Sequence, residues 1–203
     1  LKTSPAVGRP NNYIEILLRP EAVLGQWRSI PLGSSGIALT KKQWLEQHPQ
    51  RLSSKLPKTV SLWIYGDDLD FVEGKPEHTI FALAADGREK VLGHVGTAKR
   101  PGDRKTQCYI IDGVSSELIH DGKLSIVIFN EPGGPWMSRF FALYVMPSGC
   151  VAGPDEATKR IERSLEWVRS KALGFVEFSY GGLRNGDGER TRVDIEIVGL
   201  PAE

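Results

Sequence analysis

Two short runs of this sequence are apolar on both faces of an extended chain, and they constrain the fold more than any other feature. In Val60–Tyr65, Val, Leu and Ile alternate with Ser, Trp and Tyr, and Leu124–Phe129 reads Leu-Ser-Ile-Val-Ile-Phe. An exposed strand alternates apolar and polar residues, whereas a strand that is apolar on both faces is covered on both sides. Each run therefore predicts a central strand that lies between two other layers of the molecule.

Further short β-type runs surround these two, and turn signals separate them. Asp86-Gly87 and Asp121-Gly122 are typical of tight turns between strands. Many short strands with regular turn signals indicate a β-sandwich rather than alternating βαβ units. The predicted strands are Tyr13–Leu18, Val60–Tyr65, Thr79–Ala84, Lys90–Val95, Thr106–Ile111, Leu124–Phe129, Arg139–Met146, Phe175–Tyr180 and Thr191–Val198.

Two helices are expected beside the strands. Thr40 and Gln43 fit a capping box at the start of a short helix, and Pro49 fits its end. A longer helix is expected over residues 154–173, since Pro154 suits the first helical position and Gly174 suits a stop. Its apolar stripe recurs at helical spacing over Ala157, Ile161, Leu165, Val168 and Ala172.

The fold class that follows is mainly β. We expect a jelly-roll-type β-sandwich with one long C-terminal helix and a terminal β-hairpin packed on it. Residues 1–12, rich in Pro, Gly and Asn, are expected to form a flexible segment. Residues 13–150 form the sandwich domain, and residues 151–203 form the helix-plus-hairpin extension, whose turn is expected at residues 185–188.

Composition excludes some classes of function and leaves others open. The formal net charge of +1 over 203 residues gives no basic footprint for nucleic acid. No apolar run approaches the roughly 20 residues that span a bilayer.

The chain starts at Leu1 rather than Met, so a removed leader or a trimmed start is expected. Cys108 and Cys150 would form one disulfide in an exported protein or be two buried thiols in a cytosolic one.

Three stretches of the chain resemble the galactose-binding-like jelly rolls, which are β-sandwich modules often attached to glycan-active enzymes. Ser61–Asp68 (Ser-Leu-Trp-Ile-Tyr-Gly-Asp-Asp) is similar to the first core strand and its acidic turn. His120–Ile128 is similar to a dGxNxIxI strand entry, with Lys123 where that family often has Asn. Gly133–Trp136, leading into Phe140–Val145, is similar to the closing hairpin.

The resemblance covers residues 59–146 and has no counterpart for the chain after Gly153. It implies the sandwich fold and, as an expectation, sugar binding through loop tips and a structural calcium ion.

The densest acidic cluster follows the first central strand. Asp67, Asp68 and Asp70 stand within four residues, with Glu73 nearby. Calcium prefers several carboxylate and carbonyl oxygens on a flexible loop, so these residues are candidate ligands, although the spacing is not that of an EF-hand. The alternative is a solvated turn in which an Asp side chain bonds its own backbone.

Trp136 is a candidate platform for a sugar ring, because the apolar face of a sugar pairs with an indole. Asn130, Glu131 and Arg139 would then bond the hydroxyl groups, and His78, at the end of the acidic loop, is a further candidate ligand-binding residue. The alternative for Trp136 is that it packs over the end of the sandwich. The four histidines show no metal-ligand spacing, and no Gly-x-Ser-x-Gly motif occurs.

Three functions follow from these features. The first is a non-catalytic binding module of a secreted, periplasmic or envelope protein that recognises a carbohydrate or a partner. It would use the loops at residues 66–76 and 130–136. The second is an interaction or inhibitor protein that uses a helix or the edge of Thr191–Val198. The third is a metal-assisted hydrolase or lyase that acts on a polymer, for which the sequence shows no nucleophile motif.

Overall fold

A computed structural model of the chain describes residues 36–67, 71–72, 75–76, 78–95, 107–132, 137–150, 165–179 and 182–201. Strands dominate these residues. In chain order the strands are β1 Ile37–Thr40, β2 Leu52–Ser53, β3 Thr59–Asp67, β4 Phe71–Val72, β5 Lys75–Pro76, β6 His78–Leu83, β7 Glu89–Val95, β8 Gln107–Ser115, β9 Ile119–His120, β10 Lys123–Asn130, β11 Met137–Pro147, β12 Gly174–Phe178, β13 Leu183–Gly186, β14 Arg190–Glu196 and β15 Leu200–Pro201. The helices are α1 Lys41–Gln47, α2 Leu165–Lys171 and a 3-10 turn at Ser116–Leu118.

Two antiparallel sheets form the body of the molecule. Sheet A has the strand order β1-β12-β11-β3-β8, with β13 beside β11. Sheet B has the order β14-β10-β6-β7, with β9 beside β10. The central strands of the two sheets include the two runs that are apolar on both faces, β3 and β10. The mainly β fold and the packed pair of sheets are therefore confirmed.

The main core lies between the sheets. It holds the inward side chains of β3, β6, β10, β11, β12 and β14, and each sheet contributes alternate residues. Its most deeply buried members are Val60, Leu62, Ile64, Ile80, Ala82, Leu124, Ile126, Ile128, Phe140, Leu143, Val145 and Ile195. Residues of this kind, fully removed from water, supply most of the favourable free energy of folding.

A second core lies on the outer face of sheet A, where both helices pack. Trp63 and Tyr65 of β3 are each 1 % exposed there, against Trp44 of α1 and Val168 of α2. The sequence pattern of β3 predicts this arrangement, because a strand with apolar side chains on both faces must have both faces buried against other elements. Sheet A is thus covered by sheet B on one side and by the helices on the other.

Helix α1 begins as the sequence predicts. The Thr40 hydroxyl accepts from the Gln43 backbone N–H at 3.3 Å, and Gln43 Oε1 accepts from the Thr40 backbone N–H at 2.9 Å. Each side chain satisfies a backbone donor that the first turn leaves free. The helix ends at Gln47, before Pro49.

The structure supports only the last part of the expected long C-terminal helix. Helix α2 has seven residues, Leu165–Lys171, and residues 151–164 lie outside the described part of the chain. The predicted apolar stripe is confirmed at its three described positions, because Leu165, Val168 and Ala172 are buried against sheet A.

The expected terminal hairpin is also wrong. Strand β12 pairs with β1 and β11 in sheet A, whereas β14 pairs with β10 in sheet B. All five residues of β12 are buried, as in a central strand, while β14 alternates as an edge strand does. The turn at residues 187–188 does exist, but it joins β13 of sheet A to β14 of sheet B.

Among the described residues, neither helix has the length and hydropathy that a membrane span requires.

Candidate functional site

Three strands of sheet B start or finish together. Strand β6 begins at His78, which pairs with Asn130 at the end of β10 and with Val95 at the end of β7. The hydrophobic alternation of these strands fixes this register, because a slip of one residue would turn every inward side chain outward. The connections that leave β7 and β10 therefore begin at one edge of the sandwich.

Sheet A ends at the same place. Strand β3 ends at Asp67, opposite Arg139 near the start of β11, and β8 begins at Gln107, opposite Gly66. Only residues 131–136 separate β10 of sheet B from β11 of sheet A, so these strand ends must be close in space. The connections between β3 and β6, β7 and β8, and β10 and β11 all start and finish here. We call this the loop-bearing end.

Buried polar side chains tie the two sheets together at the loop-bearing end. We call them the end cluster: His78, Asn130, Ser138 and Asn185, each 0 % exposed. Asn185 of β13 in sheet A donates from Nδ2 to Thr191 Oγ1 of β14 in sheet B at 2.9 Å. Asn130 of β10 donates from Nδ2 to the Asn185 backbone carbonyl at 3.1 Å. The two amides therefore hold the sheets at a fixed separation.

Two acceptor atoms of the end cluster are left over. Oδ1 of Asn130 and Oδ1 of Asn185 are buried, and neither accepts from any residue that the structure describes. A buried acceptor without a donor costs about 1–3 kcal/mol. A water molecule or a donor group from a ligand would therefore be stabilised at either atom.

A hydrogen-bonded set of three side chains lies on the outer face of sheet B beside this end; we call it the Thr79 trio. The Thr79 hydroxyl donates to Glu131 Oε1 at 2.5 Å and lies 2.9 Å from His94 Nδ1. A hydroxyl has one hydrogen, so Thr79 accepts from His94 Nδ1–H while it donates to Glu131. This leaves Nε2 of neutral His94 and the second oxygen of Glu131 as acceptors.

An ion pair crosses the same outer face from one edge strand to the other. Arg190 of β14 bonds both carboxylate oxygens of Glu89 on β7, over the two strands between them. Its guanidinium lies 5.1 Å from the ring centroid of Phe81 and 5.0 Å from that of Phe129. We call these four residues the Arg190 bridge. Cation–π contact and the paired carboxylate hold Arg190 flat on the sheet.

The structure places the predicted ligand residues in three different settings. His78 and Asn130 are cross-strand neighbours inside the end cluster, where the His78 ring meets the Phe140 ring edge-on at 5.2 Å. Glu131 is half-buried on the outer face of sheet B. Arg139 belongs to sheet A, 6.0 Å from the Phe141 ring centroid. They share the loop-bearing end but do not form one surface.

Trp136 lies outside the described residues, and so do Asp68 and Asp70. Asp67 is the last residue of β3, so the backbone places the start of the acidic segment at the loop-bearing end. Among the residues that the structure describes, His, Cys, Asp and Glu side chains form no group of three suited to a metal ion.

A second polar cluster, which the sequence did not indicate, lies under the helices on the outer face of sheet A. Glu177 of β12 is 0 % exposed and accepts from Arg169 Nε and Nη2 of α2, both at 2.7 Å. It also accepts from the Tyr144 hydroxyl at 2.7 Å. Burial alone would lower the pKa of Arg169, but the bonds to Glu177 and its charge together raise it. Arg169 therefore keeps its positive charge inside the protein.

Lys41 of α1 completes this cluster. It is 1 % exposed, and Nζ donates to the Arg169 carbonyl at 2.7 Å, in the last turn of α2. It also lies 4.5 Å from the Trp44 ring centroid. Burial lowers the pKa of Lys41 to about 8. The cluster joins both helices to sheet A and has no exposed reactive atom on Glu177 or Lys41, so its role is to hold the layers together.

Both cysteines are free thiols. Cys108 is buried beside Tyr65, and burial raises its pKa; Cys150 is half-buried, and its pKa is also raised by burial. A raised pKa keeps a thiol protonated and unreactive at neutral pH.

Comparisons of the chain with family models, with curated proteins and with solved structures found no match.

Proposed function

We propose that this chain is a non-catalytic binding module of an exported or envelope protein, and that it recognises a carbohydrate or a partner protein at the loop-bearing end. One observation carries the proposal: the connections that leave β3, β7 and β10 all begin and finish at that end. Segments that join strands of a rigid scaffold at one place are where proteins most often put binding residues.

The frame behind these connections is rigid. The end cluster bonds β10 of sheet B to β13 of sheet A, and Asn185 bonds β13 to β14. A binding surface that is held in place before the ligand arrives loses less entropy on binding. Oδ1 of Asn130 and Oδ1 of Asn185, in the end cluster, remain buried acceptors without a donor among the described residues.

The residues of the connections suit the proposal. Gly133–Trp136 offers an indole for a sugar ring, with Arg139 and Glu131 at the flanking strand ends. Asp67, Asp68 and Asp70 offer carboxylate oxygens for a calcium ion that would order their segment. A relationship to the galactose-binding-like jelly rolls agrees with both roles and is part of the proposal.

A protein that binds another protein along a sheet edge is the second candidate. Strand β14 is an edge strand of sheet B with a cleanly alternating pattern, so its outer backbone groups could pair with an added strand. The loop-bearing end and the β14 edge are separate surfaces, and variants can distinguish them.

Thermal unfolding tests the proposal. Calcium, EDTA and a panel of oligosaccharides are added in turn, and a ligand of the native state raises the midpoint by mass action. At about 100 times its Kd, such a ligand should raise the midpoint by about 5–10 °C. Trp136→Ala should abolish the glycan shift, and Asp68→Ala should abolish the calcium shift. Leu56→Ala and Asp86→Ala, at exposed sites outside the loop-bearing end, are the matched controls.

The proposal fails if a glycan or a partner protein binds the wild type and all substitutions at the loop-bearing end leave its affinity unchanged. If substitutions along β14 lower the affinity and substitutions at the loop-bearing end do not, the second candidate, a protein that binds its partner along the β14 edge, is supported instead.

A further inference from the structure

We propose that the ligand is an uncharged carbohydrate and that its contact surface extends from the loop-bearing end onto the outer face of sheet B, over the Thr79 trio and the Arg190 bridge. This inference rests on the proposed function and assigns it a ligand class and residues.

The Thr79 trio supplies two acceptors at a fixed separation. Thr79 is 4 % exposed, and its hydroxyl makes hydrogen bonds to both His94 and Glu131. Neither of these side chains can rotate without losing its hydrogen bond. His94 must keep its hydrogen on Nδ1, which leaves Nε2 to accept. The second oxygen of Glu131 accepts as well. Both acceptors suit hydroxyl groups that donate.

The Arg190 bridge supplies donors next to these acceptors. Phe129 pairs across the strands with Thr79 on one side and with Arg190 on the other, so the bridge and the trio adjoin. Arg190 donates from Nη2 to the Glu89 carboxylate, and no described residue accepts from its Nε or Nη1. A guanidinium has five N–H groups, so donors remain. A sugar hydroxyl both donates and accepts, so a face that offers both suits a polyol.

Charge on this face argues against an ionic ligand. Arg190 is paired with Glu89, and Arg192 is paired with Asp194 at 2.9 Å. An anionic ligand would meet the Glu131 carboxylate, which has no ion-pair partner among the described residues. A cationic ligand would meet Arg190 beside it. A neutral ligand meets no repulsion from either group.

The floor of the face is apolar. Phe81 and Phe129 are half-buried beneath Arg190, and Val91, opposite Phe81 on edge strand β7, is 53 % exposed. The C–H face of a sugar buries against such groups while its hydroxyls stay bonded at the rim.

Affinity electrophoresis tests the inference with the full chain. The gels contain xylan, galactomannan, mixed-linkage β-glucan or soluble starch as neutral probes, and pectin or heparin as charged ones. We expect at least one neutral polysaccharide to retard the wild type and the charged ones not to do so. Glu131→Gln and His94→Ala should each weaken that retardation about tenfold or more, as loss of a hydrogen bond to a charged or fixed group does.

Two further sets of variants keep the test decisive if the first pair folds poorly. Val91→Arg places a large group on the face from an exposed position and should block the polysaccharide without changing the unfolding midpoint. Glu117→Gln and His120→Ala, outside the loop-bearing end, are matched controls and should be retarded like the wild type.

Three results would overturn the inference. In the first, no neutral polysaccharide retards the wild type. In the second, only a charged polysaccharide retards it. In the third, a neutral polysaccharide retards it and Val91→Arg, Glu131→Gln and His94→Ala behave as the wild type does. If Trp136→Ala nevertheless abolishes the retardation in the third case, the proposed function stands and only the contacts on the face of sheet B are wrong. If a protein partner binds the loop-bearing end instead, the proposed function also stands, but the ligand is a protein and not a carbohydrate.

Discussion

At the scale of single residues, the feature that most needs a physical account is Glu177, a carboxylate with no exposed surface. Removing a charge from water costs several kcal/mol unless a partner and hydrogen bonds replace the lost hydration. Glu177 has both, because Arg169 donates two hydrogen bonds at 2.7 Å and Tyr144 donates one more. The same interactions raise the pKa of Tyr144, first through burial and then through the nearby carboxylate charge. Glu177 is stable inside the protein only while its partners are present.

Breaking this pair from either side should therefore cost more than removing it altogether. Glu177→Gln leaves the buried Arg169 without a counter-charge, and Arg169→Met leaves the buried Glu177 without its partner. Each should lower the free energy of unfolding by about 3 kcal/mol or more. The double variant Glu177→Leu with Arg169→Met should lose less than the sum of the singles. Urea titration of the four proteins measures the coupling.

The exposed pair Arg192–Asp194 is the matched control. Arg192→Met and Asp194→Asn should change the free energy of unfolding by less than about 1 kcal/mol. Equal effects at the buried and the exposed pair would contradict our account of Glu177.

At the scale of elements, the sandwich depends on a close approach between its two sheets where β12 begins and β14 ends. A Cβ atom on Gly174 would lie 2.1 Å from the Glu196 carbonyl oxygen, which is inside any allowed contact. The neighbouring backbone bond from Val198 N–H to the Leu173 carbonyl, 2.9 Å long, holds the two chains at this separation. Only glycine lets β12 run this near to the other sheet.

Gly174→Ala should therefore be severely destabilising, by about 3 kcal/mol or more, since backbone on both sides must move. Gly93→Ala is the matched control in another strand, because its Cβ would meet only the flexible side chain of Ile111, at 3.3 Å. Thermal and urea unfolding of both variants measures the difference. Similar midpoints for the two would show that the approach at Gly174 is not a constraint on the fold.

Elements whose signals are local could be predicted from the sequence, and those defined by distant partners could not. The α1 cap needs only Thr40 and Gln43, three positions apart in one turn, and the structure confirms it. The sequence predicts β12 and β14 as a hairpin because the two runs follow one another along the chain with a turn signal between them. Their real partners, β11 and β10, are set by how both faces of β12 are buried.

The candidate site shows the same division. The Asp86-Gly87 turn predicts that β6 and β7 pair, but the bulge between Ile80 and Phe81 is what brings His94 rather than Gly93 opposite Thr79. Glu131 joins the Thr79 trio only because β10 lies beside β6, and Arg190 reaches Glu89 only because four strands lie side by side. Long-range pairing carries no mark in a single sequence.

At the scale of the whole molecule, three layers must unfold together, and Lys41 makes their stability depend on pH. Its ammonium is enclosed between α1, the carbonyl end of α2 and the Trp44 ring. Burial lowers its pKa from 10.5 to about 8, so the unfolded chain holds this proton more tightly than the folded one. Stability from this group therefore rises as pH increases from about 8 toward 10.5, and below pH 8 the cost of burying the charge is present in full.

This dependence can be isolated with Lys41→Met, which keeps the aliphatic stem and removes the titrating group. The free energy of unfolding of the wild type should gain about 2 kcal/mol relative to Lys41→Met between pH 7 and pH 10. Cys108 and the buried tyrosines are present in both proteins, so their contributions cancel in the difference. Lys42→Met, at an exposed neighbour in α1, should follow the wild-type curve. Urea titrations at four pH values measure it. A difference that stays constant, or shrinks as pH rises, would mean that the helix carbonyls and the indole ring stabilise the ammonium more than burial destabilises it.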